Sequence, residues 1–105
     1  YGYEHVYAKQ IDWHAVEGDL AIVISSSGQS QNILNAATAA NKAKCSVLTL
    51  SGFLPNNPLR ELGNTNFYIA SEEYGFVEVG HTVLLHGILD LQMGWNVDKL
   101  NPHAV

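Results

Sequence analysis

The stretch Leu20-Ala21-Ile22-Val23-Ile24-Ser25-Ser26-Ser27-Gly28-Gln29-Ser30-Gln31 changes character half-way along. Leu20–Ile24 is a continuous apolar run, β-branched at Ile22, Val23 and Ile24. It follows the turn residues Glu17-Gly18-Asp19 and stops at a run of serines, the mark of a short strand buried on both faces. From Gln31 to about Lys44 the period becomes helical. Ile33, Ala36, Ala37 and Ala40 form an inward stripe of mostly small residues that allows close approach to a sheet. Lys42 and Lys44 stand in the last turn, where the helix dipole favours cations. Strand, polar loop and helix together predict one unit of a parallel α/β sheet.

The flanking sequence repeats the unit. Tyr3, Val6, Tyr7 and Ile11 predict a helix from Tyr3 to about His14. Ser46-Val47-Leu48-Thr49-Leu50 is a second strand, followed by a loop from Ser51 to Asn57. Pro58–Leu62 is a short helix with Pro at its first position. Asn66–Ala70 is a third strand, and Ser71–Gly75 a loop. The last helix runs from Phe76 to about Val97. Its apolar residues, among them Val77, Val79, Val83, Leu84, Leu85, Ile88 and Trp95, exceed one narrow stripe, so it is expected to be buried on most sides. Strand and helix alternate three times, the rhythm of parallel strands joined by right-handed crossovers, with helices on both faces. Three strands are few for such a sheet, and more are expected ahead of Tyr1.

Composition excludes several functions. The chain has 105 residues, of which 47% are hydrophobic and 14% charged, with a net charge of −5. An average soluble domain is roughly 25% charged. Disorder is excluded, and so is a basic footprint for nucleic acid. The shortage of charge predicts that some of this surface meets a partner subunit or missing chain. The single cysteine, Cys45, excludes an internal disulfide and a cysteine-based zinc knuckle, and suits a reducing cytoplasm. The longest strongly apolar stretches, Leu20–Ile24 and Val83–Leu85, are far short of a membrane span. The start at Tyr1, with no initiator Met and no signal-peptide pattern, is expected of a processed or truncated product.

The serine loop is the most informative segment. It leaves the carboxyl end of a strand and opens a helix, the place where open α/β sheets bind ligands. First-turn N–H groups and the helix dipole favour an anion there. Serine hydroxyls rotate to suit phosphate oxygens, and Gly28 admits a ligand close to the backbone. The loop has no lysine, unlike a Walker nucleotide loop. One serine suffices for a helix cap; four uncharged serines suit a phosphomonoester on a small metabolite.

These residues carry a resemblance. Gly18-Asp19-Leu20-Ala21-Ile22-Val23-Ile24-Ser25-Ser26-Ser27-Gly28-Gln29-Ser30 resembles the strand and Ser-x-Ser-Gly-x-Ser loop of sugar isomerase (SIS) domains. The similarity continues through Val47–Gly52, Asn57-Pro58-Leu59 and Tyr74–His81, and covers roughly Tyr1 to Leu91. The opening Tyr1-Gly2-Tyr3-Glu4 and the pattern Glu78…His81…His86 resemble the phosphoheptose isomerase branch. The resemblance implies a three-layer αβα, flavodoxin-like fold around a parallel sheet of five strands. Residues 1–105 would be the C-terminal half of one SIS domain, with the N-terminal helices and first two strands absent. The implied activity is aldose–ketose isomerisation of sedoheptulose 7-phosphate through an enediol, in heptose or lipopolysaccharide biosynthesis. The alternative is a non-catalytic SIS module that senses a phosphosugar or serves as a scaffold, as relatives that bind a replication initiator do.

Individual residues follow. Ser25, Ser26, Ser27, Gly28, Gln29 and Ser30 are the expected substrate-binding residues. A buried histidine is more often a hydrogen-bonded core residue than a catalyst, but imidazole titrates near neutral pH and suits proton transfer. By resemblance His86 is the helix-borne catalytic histidine, and Glu78 stands near the ligand or metal. Some members of the branch carry zinc, which makes Glu78 and His86 candidate ligands in the full-length protein. Eight residues on a straight helix span roughly 12 Å. The pair therefore serves one ion only if the helix starts after Glu78 or different subunits contribute. The resemblance also implies a homotetramer, with the last helix in the interface. At Gly75, some relatives have Asp near the sugar. His5 and His14 are expected at the surface or in packing, and His103 in a polar tail. Trp13 and Trp95 are expected as packing anchors, Glu72 and Glu73 as a solvated pair, Asp90 as a cap or interface residue, and Cys45 as a small buried hydrophobe.

Overall fold

A computed structural model describes residues 2–94. Tyr1, Trp95, Val97 and His103 lie outside the described residues, as does the expected end of the last helix. A single 3-10 turn, Tyr3–His5, leads into α1, Val6–His14. Then come β1 (Leu20–Ile24), α2 (Gln31–Lys42), β2 (Ser46–Ser51), a 3-10 turn at Pro58–Glu61, β3 (Thr65–Tyr68) and α3 (Tyr74–Gln92). The three strands are parallel, in the order β1-β2-β3. Ile24 stands beside Leu50, and Leu50 beside Phe67. The predicted parallel α/β sheet is present, with shorter ends at α2 and β3.

Alternation along the strands divides the side chains between two faces. Val23 and Val47 pack with Ala37, Ala40, Cys45 and Leu59 into the main core. The alanines of α2 let that helix lie close to the sheet. Central β2 is buried from Val47 to Ser51. The same was expected of β1, but Leu20, Ile22 and Ile24 are exposed and only Val23 is buried. The physical reason is position: β1 is an edge strand in this chain, and its helices α1 and α2 cover one face.

The last helix also departs from expectation. It begins at Tyr74 rather than Phe76, and Val77 and His81 are its buried residues. Phe76, Val79, Val83, Leu89, Leu91 and Met93 are exposed. The helix meets the sheet at β2, and nothing else within the described residues covers its outer side. Trp13, expected as an anchor, is 63% exposed, whereas Cys45 is buried as expected.

Gly75 stands in the first turn of α3, and a Cβ there would meet nothing within 4 Å. Glycine in a helix costs roughly 0.5–1 kcal/mol relative to alanine. Gly75→Ala is therefore expected to raise unfolding stability by about that amount, read from the urea midpoint. A lower midpoint would mean that the residue is held by a contact outside this chain.

Candidate active site at the carboxyl ends of the strands

The serine loop continues β1. Ser25 N–H donates to Leu50 O at 3.0 Å, so the chain leaves the sheet only after Ser25. The loop then turns back on itself. Gly28 N–H reaches Ser25 O at 3.0 Å and Ser25 Oγ at 3.1 Å. Gln29 N–H donates to Ser27 Oγ at 3.1 Å. Gly28 takes φ +68°, the left-handed region that glycine enters without a Cβ penalty.

The hydroxyls divide into two groups. Ser25 is buried and gives its one proton to Ser30 Oγ, 3.2 Å away. It therefore braces the loop from within. Ser27 Oγ and Ser30 Oγ act as acceptors in these bonds, which leaves their own protons free to point outward. Ser30 occupies the N-cap of α2 yet makes no side-chain cap bond. The ordinary cap role of a serine is thus not the one performed here. Ser26 and Ser27 are half-buried, and Gln29 and Ser30 are exposed. The result is a short turn of hydroxyls at the start of a helix, a setting that attracts an anion.

Glu78 and His86 lie elsewhere. Both are within α3 and both are exposed in the chain. No hydrogen bond or ion pair joins either side chain to the serine loop among the described residues. At about 100° per residue, His86 stands roughly opposite Val77 on the helix. It faces away from the side that this chain buries. Because α3 already runs by Tyr74, Glu78 and His86 share one regular helix and are roughly 12 Å apart along it. Among the described residues no three His, Cys, Asp or Glu side chains come together to hold a metal ion. The described residues do not by themselves fit a zinc ion.

Asn57 stands in a segment that carries the family similarity, but the sequence assigned it no role in the site. Its side chain is 1% exposed and packs directly against Gly28. Its amide nitrogen lies 3.0–3.1 Å from Ser51 Oγ, Gly52 O and Leu54 O. Its Oδ1 accepts the Arg60 N–H. An Asn immediately before Pro58 is a helix-cap signal, but nothing local to it points at Gly28.

No family model matches the chain. The phosphoheptose isomerase of Geotalea uraniireducens is 32% identical over 91 residues, 87% of this chain and 48% of that protein. That of Campylobacter concisus is 34% identical over 84% of this chain and 46% of its own length. This chain is homologous to the phosphoheptose isomerases. The homology covers about half the length of the curated relatives it matches. The solved phosphoheptose isomerase of Neisseria gonorrhoeae superposes with a TM-score of 0.80 at 28% identity, over 87% of this chain and 51% of that one. The sheet and helices described above therefore match about half of that structure.

Proposed function

We propose that this chain supplies the phosphate-binding part of a phosphosugar isomerase of the SIS type, acting on sedoheptulose 7-phosphate. The observation that carries the reading is the serine loop, whose N-cap Ser30 leaves its helix uncapped. Ser27 and Ser30 then donate to the phosphate, as does the Ser30 N–H, while the Gly28 and Gln29 N–H groups are held within the loop by Ser25 and Ser27. Ser25 holds the turn in shape, and Ser26 and Gln29 border it. The phosphoheptose isomerases to which the chain is similar support the substrate class.

The chemistry moves a proton between C1 and C2 of the open-chain sugar. A base takes the C1 proton of the ketose, an enediol forms, and the proton returns at C2 to give the aldose. His86 is the proposed base in this chain, with Glu78 beside the ligand. His86 faces away from the chain's own buried side, which supports a site completed between copies of the chain. The exposed apolar residues of α3 support the same homo-oligomer, a tetramer by family resemblance. No helix among the described residues is long and apolar enough to cross a membrane; a cytoplasmic location is part of the proposal.

The test is kinetic, on the whole protein. Ser27→Ala combined with Ser30→Ala is expected to raise KM for sedoheptulose 7-phosphate at least about tenfold, since each hydrogen bond to a charged group contributes roughly 1.5–3 kcal/mol. An unchanged KM would remove the phosphate from this loop. Binding without turnover by the unmodified protein would favour the sensing module over the enzyme.

A further inference from the structure

Beneath the serine loop lies a series of buried polar groups that the proposed chemistry does not use. It begins on α3. His81, 4% exposed, places Nε2 2.8 Å from Ser51 O. Ser51 O also accepts the Ile69 N–H at 3.0 Å. A carbonyl oxygen only accepts, so the ring nitrogen facing it must carry the proton. His81 thus ties α3 to the carboxyl end of β2.

The series continues through Ser51. Its hydroxyl meets the Asn57 amide, which also reaches the carbonyls of Gly52 and Leu54. Leu54 O also accepts the Asn57 backbone N–H at 3.1 Å, whereas Gly52 O lies in an irregular loop with no strand partner, so the side-chain amide satisfies it where an apolar residue would not. The other side of Asn57 rests against Gly28, and Leu59 N–H donates to Gly28 O at 3.1 Å. A second tie runs alongside. Gly52 is wedged between Ser26 O and Val77, so closely that a Cβ would approach them to 3.0 Å and 2.7 Å. The serine loop therefore rests on residues 51–59, and those residues rest on α3.

We infer that Asn57 and His81 are positioning residues. They set the height of the serine loop and its separation from α3, and through that the affinity for phosphate, without touching the substrate. The inference rests on the phosphate role proposed for the serine loop.

The test uses the whole protein with two variants, Asn57→Ala and Asn57→Ser. Serine retains an oxygen able to cap the Pro58–Glu61 turn but cannot span to Gly52 and Leu54. It separates the clasp from helix capping, and it carries the test if Asn57→Ala fails to fold. Two constants are read: KM for sedoheptulose 7-phosphate, and Ki for inorganic phosphate as a competitor. Both are expected to rise at least about tenfold, with kcat within about threefold of the unmodified protein. A merely structural role would shrink the folded fraction instead, lowering apparent kcat and leaving KM and Ki in place. That result would overturn the inference. If inorganic phosphate does not compete even in the unmodified protein, the serine-loop reading fails and this inference falls with it. If phosphate competes there and Ki is unchanged in the variants, this inference alone fails. His81→Leu is expected to raise Ki as well, and an unchanged value would remove His81 from the series.

Discussion

His86→Gln in the whole protein is expected to lower turnover of sedoheptulose 7-phosphate at least about a hundredfold, because losing a general acid–base costs roughly 10²–10⁴ in rate. Glutamine keeps much of the size and hydrogen-bonding reach of histidine but cannot take a proton at neutral pH. The substitution therefore removes proton transfer while leaving the serine loop untouched. KM and the Ki for inorganic phosphate should stay near their original values. His86 is exposed on the outer side of α3, opposite the stripe formed by Val77 and His81. A side chain so placed contributes little to the core of this chain, so the expected loss is not one of stability. Turnover at the original speed would return His86 to the surface of a helix and leave the binding module as the better reading.

Gly28→Ala is expected to lower stability by about 2–5 kcal/mol, the sum of two separate penalties. The left-handed backbone at φ +68° costs an alanine roughly 1–2 kcal/mol. The new Cβ would also overlap the side chain of Asn57, which is buried and hydrogen-bonded through both its amide nitrogen and its oxygen. Overpacking of this kind costs roughly 1–3 kcal/mol. Relief can come only by moving the serine loop, so phosphate affinity should fall together with the urea midpoint. A midpoint equal to that of the unmodified protein would show that Gly28 and Asn57 are not in contact.

Much of this was legible without coordinates. A five-residue apolar run followed by serines, and a helix with an alanine stripe, are local patterns. Leu20–Ile24 and Gln31–Lys42 form where their own periodicity places them. The carboxyl end of β1 then places the serine loop where parallel sheets bind ligands. Burial was legible only in part. An apolar run states that both sides of a strand can be buried, not that this chain buries them. Central β2 meets neighbours on both sides, whereas β1 is an edge with Ile22 and Ile24 exposed.

By itself, then, the sequence determined the order of elements, the parallel sheet and the position of a hydroxyl-rich loop at a helix start. Each of these follows from residues within a few positions of one another, through alternation, helical period and turn chemistry. Tertiary structure decided which distant groups meet: Asn57 against Gly28, and His81 on the carbonyl of Ser51, 30 residues earlier. It also decided that His86 faces away from both. These relations depend on how the crossovers place one loop over another and how α3 is rotated against β2. Side-chain patterns carry no record of that rotation, because Glu78, His81 and His86 look alike in a helix until one of them finds a carbonyl to hold.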